Sequence, residues 1–175
     1  MGCIEIPIFI KTGTERFENT ASAAKLSFLV PFILLPFSAW LALANPGFKD
    51  QTVLSLLPKM TFEFILSTAL YLSGIYMAVK QLDRAQFFPR FVNAQNWLSI
   101  TQLVILLPIL SGVMAGHWPW KDVYNFLVFL FMYGYVFQAF LITFTFRINW
   151  MLASALSILG MAINESVHSL IYQVS

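Results

Sequence analysis

Five long stretches of this chain carry almost no charge, and that pattern leaves few folds open. They fall at about 26–44, 62–79, 97–115, 123–146 and 150–172. A helix needs about 20 mostly apolar residues to cross a hydrocarbon core roughly 30 Å thick. Charged residues make up 10% of the chain against 59% hydrophobic, where a soluble domain carries about 25% charge. A water-soluble fold of this composition would leave large apolar patches in water. The expectation is an all-α polytopic transmembrane helix bundle of five spans over residues 26–175, preceded by a cytoplasmic amino-terminal segment, 1–25.

The connections follow from turn chemistry and charge. Residues 1–25 are mixed. Ile4, Ile6, Ile8 and Ile10 alternate with other residues around Pro7, as in a short extended or interfacial piece. Met1-Gly2-Cys3 invites a lipidation reading, but Ile6 stands where the myristoylation pattern takes Ser or Thr. Pro31 and Pro36 should kink the first span, because each removes a backbone donor. Ala42-Leu43-Ala44 imitates a signal-peptidase site, yet the apolar run is too long for a signal peptide. Asn45-Pro46-Gly47 reads as a stop, with a loop to about Met60. Residues 80–96 read as a polar stretch with a membrane-surface turn at Phe87-Phe88-Pro89. Pro108 should kink the third span, and Arg147-Ile148-Asn149 reads as a tight connection.

Seven basic residues (Lys11, Arg16, Lys25, Lys80, Arg84, Arg90, Arg147) fall on one side of this scheme, against Lys49, Lys59 and Lys121 on the other. The bias places the amino terminus in the cytoplasm and, after five spans, the carboxyl terminus outside. Trp40, Trp97, Trp118, Trp120 and Trp150 all fall at span ends, where an indole meets both lipid and water. The alternative is four spans, with residues 150–175 on the surface, because Glu165 and His168 are costly in lipid.

Those two residues are the leading candidates for a polar or ion site. Their spacing of three puts them on one helix face, with Asn164 turned aside. Glu63, at the start of the second span, and His117 join them if all lie toward the outer side. The bland reading is that Glu165 and His168 meet water near the interface, about 22–27 Å along their helix. Glu-x-x-His is half of a di-iron pattern, but the second copy is missing. No metal or other cofactor is expected. Gly112-x-x-x-Gly116 is a candidate for close helix packing. Asn93, Gln95, Asn96, Thr101, Gln102 and Gln138 read as interhelical hydrogen-bonding groups or, less simply, as the lining of a vestibule. The single cysteine excludes an intrachain disulfide. There is no basic cluster for nucleic acid, no phosphate-binding glycine loop, no Cys-x-x-Cys, no His-Glu-x-x-His and no nucleophile elbow.

Arg90-Phe91-Val92-Asn93-Ala94-Gln95-Asn96-Trp97, opening a hydrophobic span, resembles a segment of small uncharacterised bacterial membrane proteins. The five-span layout is similar to Yip1-type membrane proteins. The resemblance implies a bacterial inner-membrane location and a role in membrane organisation, and it assigns no site residues. The resulting expectation is an accessory, assembly or organising subunit whose partners are the bilayer, other membrane subunits or copies of itself. The rival reading is a small transporter or ion-conducting subunit using Glu165 and His168. An enzyme comes third.

Overall fold

The computed structural model describes residues 2–173, and among them the chain forms helices and no strand. Met1, Val174 and Ser175 lie outside the described residues, and with them the expected exit of the carboxyl terminus. The helices are α1 (Gly2–Glu5), α2 (Ala21–Ser27), α3 (Leu29–Ala42), α4 (Val53–Gln81), α5 (Phe88–Met114), α6 (Trp120–Phe146) and α7 (Trp150–Gln173). Short 3₁₀ turns occupy Lys11–Arg16, Pro46–Phe48 and Ala85–Phe87. Helices α2 and α3 together make the first of five segments long and apolar enough to cross a membrane. The chain is therefore a multi-pass integral membrane protein with an all-α bundle fold.

Local chemistry sets the boundaries. Thr20 caps α2 by accepting from the Ala23 N–H at 3.2 Å. The ring of Pro31 opposes the carbonyl of Ser27, four residues back, and α2 ends at that serine. Asn45 accepts from the Gly47 N–H at 2.9 Å and turns the chain after α3. Thr52 and Ser55 form a reciprocal capping box at the start of α4. Arg147 takes a left-handed φ of 55° to end α6, and the Asn149 side chain accepts from the Leu152 N–H at 2.8 Å to open α7.

Three expected boundaries are corrected. The first span begins at Ala21 rather than 26, α4 at Val53 rather than 62, and α5 at Phe88 rather than 97. In each case the helix outruns the apolar stretch. The expected loop to Met60 is helical because the Thr52 cap nucleates it, and Pro58 near its start costs only one bond inside the helix. Lys59 and Lys80 are separated by about 31 Å along α4, matching the hydrocarbon thickness, so residues 53–58 project beyond it. Phe87-Phe88-Pro89 is a helix start rather than a surface turn, with Pro89 in the first turn, where a missing N–H is harmless.

The five spans close into a ring in the order α3, α4, α7, α6, α5 and back to α3. Helix α7 runs antiparallel along α4: Gly74 faces Leu159, Tyr71 faces Gly160, Glu63 meets His168 and Lys59 lies over the Tyr172 ring. It therefore crosses with α4 instead of lying on the surface, which favours five spans over four. One end of the ring carries the amino terminus, the α4–α5 turn and Arg147, and is called the basic end below. It is filled by Ile75, Val79, Phe91, Leu98, Leu141, Phe146 and Ala153, all nearly inaccessible. Outward-facing Leu29, Ile33, Val104, Phe129 and Ile158 are exposed, as lipid-facing side chains should be.

Residues 2–17 pack against α5 and α6 as helical turns rather than as an extended strand. Ile6 is fully buried, while Ile4, Ile8 and Ile10 are exposed. Thr101 donates to the Cys3 carbonyl at 2.7 Å, and the Tyr133 hydroxyl donates to the Pro7 carbonyl. Asn93 donates to the Glu18 carbonyl at 3.2 Å, and Asn96 donates to Ser27 Oγ at 2.9 Å. The polar opening of α5 is thus used to hold the segments before it. Burial pushes the Cys3 thiol above its ordinary range, and only the thiolate reacts readily. Cys3 should label slowly with maleimide at neutral pH. The Thr101→Val/Tyr133→Phe variant, which removes two anchoring hydrogen bonds, should label about tenfold faster or more. Equal rates would contradict a docked amino-terminal segment.

Candidate functional site

A ring of five helices encloses space unless large side chains fill it. At the basic end they do. Toward the other end, small residues on α7 and α6 leave a cavity of about 530 Å³, lined by all five spans. Gly134 of α6 and Ser157 and Gly160 of α7 lie on its wall. Asn45 and Phe48 of the α3–α4 connection and Trp120 at the start of α6 line it at the end opposite the basic one. Leu41, Leu106, Leu110, Leu127 and Leu130 provide most of the apolar wall.

Among the described residues, no Asp, Glu, Lys, Arg or His lines this cavity. Its polar side chains are neutral: Asn45, Ser67, Thr68, Tyr71, Gln95, Gln102, Tyr133, Tyr135, Gln138, Ser157 and Asn164. Some are committed to the fold. Gln138 donates its amide to the Tyr71 hydroxyl at 2.6 Å, and Ser157 donates to the Tyr135 carbonyl at 2.8 Å. Tyr133 is held by Pro7 from outside the ring. The amino-terminal segment therefore fixes one wall residue of a cavity it does not itself line.

Others are not committed. Among the described residues the side-chain amides of Gln102 and Asn164 make no hydrogen bond. Ser67 Oγ and Gln95 Oε1 are buried oxygens without a partner. Unpaired polar atoms shut away from water are costly; Arg90 Nε, Thr143 Oγ1 and Thr145 Oγ1 are unpartnered in the packed region as well, but only Ser67 and Gln95 of this set border open space that a ligand could fill.

The structure separates the other candidates. Glu63 and His168 meet across the α4–α7 seam, with Oε1 and Nδ1 2.9 Å apart. The His168 ring stacks on Tyr172, 4.5 Å between centroids, and Tyr172 in turn packs on Phe48. This pair lies about one helical turn inside Lys59, near the interface and not at mid-membrane. Glu165 is not part of it: its side chain is exposed, and the pair is made by Glu63 and His168. Asn164, expected to be turned aside, is the residue of this group that lines the cavity. His117 sits exposed in the α5–α6 connection, and no interaction joins it to Glu63 or His168. No cluster of metal-ligating residues occurs among the described residues.

The two glycines do different jobs. A Cβ at Gly112 would lie 2.7 Å from the Trp118 ring, so this glycine admits a loop tryptophan. Gly116 has a φ of +75° with nothing within 4 Å of its Cβ position; it terminates α5. They share a spacing but not a helix–helix contact within the ring.

No family model, curated protein or solved structure matches the chain. The residues at the cavity therefore stand on their geometry alone.

Gly160 is the tightest point of the wall. A Cβ there would sit 2.7 Å from Tyr71 Cε2, and Tyr71 is itself buried and bonded to Gln138. Gly160→Ala should destabilise the protein by about 1–3 kcal/mol through overpacking. Unfolding in detergent should show it, and an unchanged midpoint would mean that α7 does not approach α4 this closely.

Proposed function

We propose that this protein is a non-catalytic accessory component of the membrane that works by holding a small molecule inside its helix ring. The observation that carries the reading is the cavity: uncharged, walled by every span, reaching one end of the ring and backed by packed side chains at the other. Pockets of about 300–1,000 Å³ with apolar walls and a few polar groups are the usual form of a ligand site. Conduction of ions calls instead for charged or carbonyl-lined paths through the whole thickness. The organising role implied by the resemblance to Yip1-type proteins fits a protein that takes up a lipid-like molecule, alone or with partner subunits.

The excess of basic residues at the basic end supports a cytoplasmic amino terminus. In a bacterial inner membrane the cavity would then reach the outer leaflet. Transport is the second reading. It rests on the Glu63–His168 pair and on Pro36 and Pro108, each of which removes a backbone donor from a wall helix. Glu165 does not line the cavity and adds no support to this reading.

Filling the cavity tests the first reading. Gly134 has room for a side chain: a Cβ there would meet Phe137 Cε1 at 3.9 Å. Gly134→Phe should fold at least as well as the wild type, since glycine is costly inside a helix. Native mass spectrometry after detergent exchange should find a small molecule on the wild type and not on this variant. Equal retention by both would refute the reading. Ion flux in proteoliposomes that disappears in His168→Gln would favour transport instead.

A further inference from the structure

We infer that the cavity takes an uncharged amphiphile whose polar end carries a hydroxyl, held by the amides of Gln102 and Asn164 and by the oxygens of Ser67 and Gln95. This deepens the holding role proposed above and rests on it.

The inference follows from what the wall offers and lacks. A charged headgroup would enter a membrane-embedded site with no counter-ion, because among the described residues no ionisable Asp, Glu, Lys, Arg or His lines it. Glu63 and His168 satisfy each other in the α4–α7 seam, outside the lining. A neutral headgroup has no such penalty.

The headgroup must also be a donor. Gln95 Oε1 is a buried acceptor without a partner, and only an O–H or N–H can satisfy it. The free amides of Gln102 and Asn164 each offer two donors and an acceptor. A hydroxyl both donates and accepts, so it can donate to Gln95 Oε1 or pair with an amide of Gln102 or Asn164. A hydrocarbon, an ether or an ester without a free hydroxyl leaves the acceptors unmet. Ser67 adjusts by rotating about χ1, since its hydroxyl is not committed elsewhere.

The rest of the wall calls for a tail. A cavity of 530 Å³ would hold roughly eighteen waters at about 30 Å³ each. Water would satisfy the amides but leave the leucine wall wet. An acyl or isoprenoid chain dries that wall while its hydroxyl answers the amides. Entry is at the end marked by Phe48 and Trp120; along α5, Leu106 and Leu110 lie nearer that end than Gln102 and Gln95 do, so the amphiphile enters headgroup first and its tail lies against the leucines near the mouth.

The test uses the full chain purified in mild detergent. The probes are labelled sn-1,2-dioctanoylglycerol, which is uncharged with one free hydroxyl; dioctanoyl phosphatidic acid, which has the same tails and a charged headgroup; and hexadecane. The wild type should bind the glycerol probe saturably, and the phosphatidic acid at least about tenfold more weakly, the scale of one or two hydrogen bonds or an unpaired charge. Gln102→Leu/Asn164→Leu should lose about tenfold in affinity for the glycerol probe and keep its affinity for hexadecane. Gln102→Met, nearly isosteric and unable to donate, should show a smaller loss in the same direction and provides the comparison if the double variant does not fold. Equal affinity for the two glycerolipids, or undiminished glycerol binding in a folded variant, would overturn the headgroup assignment. Hexadecane binding alone would overturn it too while leaving the holding role standing. Saturable binding of none of the three probes would remove the holding role itself.

Discussion

Inside a hydrocarbon core there is no solvent to complete a hydrogen bond, and the rest of this structure depends on that constraint. It makes the backbone helical throughout the spans, because only a helix satisfies its own amides there. It also ties polar side chains to partners on neighbouring segments. Asn96 reaches Ser27, Gln138 reaches Tyr71, Ser157 reaches a carbonyl of α6, and Thr101 and Tyr133 capture carbonyls of the amino-terminal segment. Each link is modest in strength, as interhelical bonds in membranes are. Together they fix which faces meet, because the alternative for each group is an unpaired dipole in lipid. The groups left over gain meaning for the same reason: Gln102 and Asn164 stand free where the ring leaves space.

The acid–imidazole pair follows the same rule at shallower depth. Glu63 and His168 come from different spans and meet one turn inside the Lys59 level, where the pair satisfies itself and water is near. Its contacts run through Tyr172 to Phe48 and so reach the cavity rim. It fastens α7 to α4 beside the open end.

Much of the architecture was legible in the sequence because it is one-dimensional. Apolar runs carried the number and order of spans, and Pro31 and Asn45-Pro46-Gly47 marked real breaks, whereas Pro36 and Pro108 lie inside continuous helices. The helix ends were misread where polar residues continue a helix beyond the apolar run, as at Val53 and Phe88. Composition reports the membrane's thickness; the helix stops where capping chemistry says so. Site residues were harder for a different reason. Glu165 and His168 share a helix face by spacing, but which face turns inward depends on the packing of α7 between α4 and α6. That packing is set by Ser157 and Gly160, where α7 touches Tyr135 and Tyr71. Asn164 extends the same face into the cavity, while Glu165, one residue on, is exposed and not part of the lining. The neutral residues Ser67, Thr68 and Tyr71 gave no signal above an ordinary apolar span. Gln95 and Gln102, seven apart, share one face; they read first as interhelical hydrogen-bonding groups and otherwise as a vestibule on the cytoplasmic side, whereas the cavity they line reaches the opposite end.

The account turns on a cavity that reaches one end of the ring and is sealed at the other. Single cysteines at Leu106, Leu130 and Ser157, in a chain whose Cys3 is replaced by Ser, read this directly when labelled in sealed vesicles with a small membrane-impermeant thiol reagent. Labelling at all three positions from the face opposite the basic end, and none from the basic face, is the predicted result. Labelling from both faces would show a path through the ring, and labelling from neither would show a packed interior; either would contradict the account.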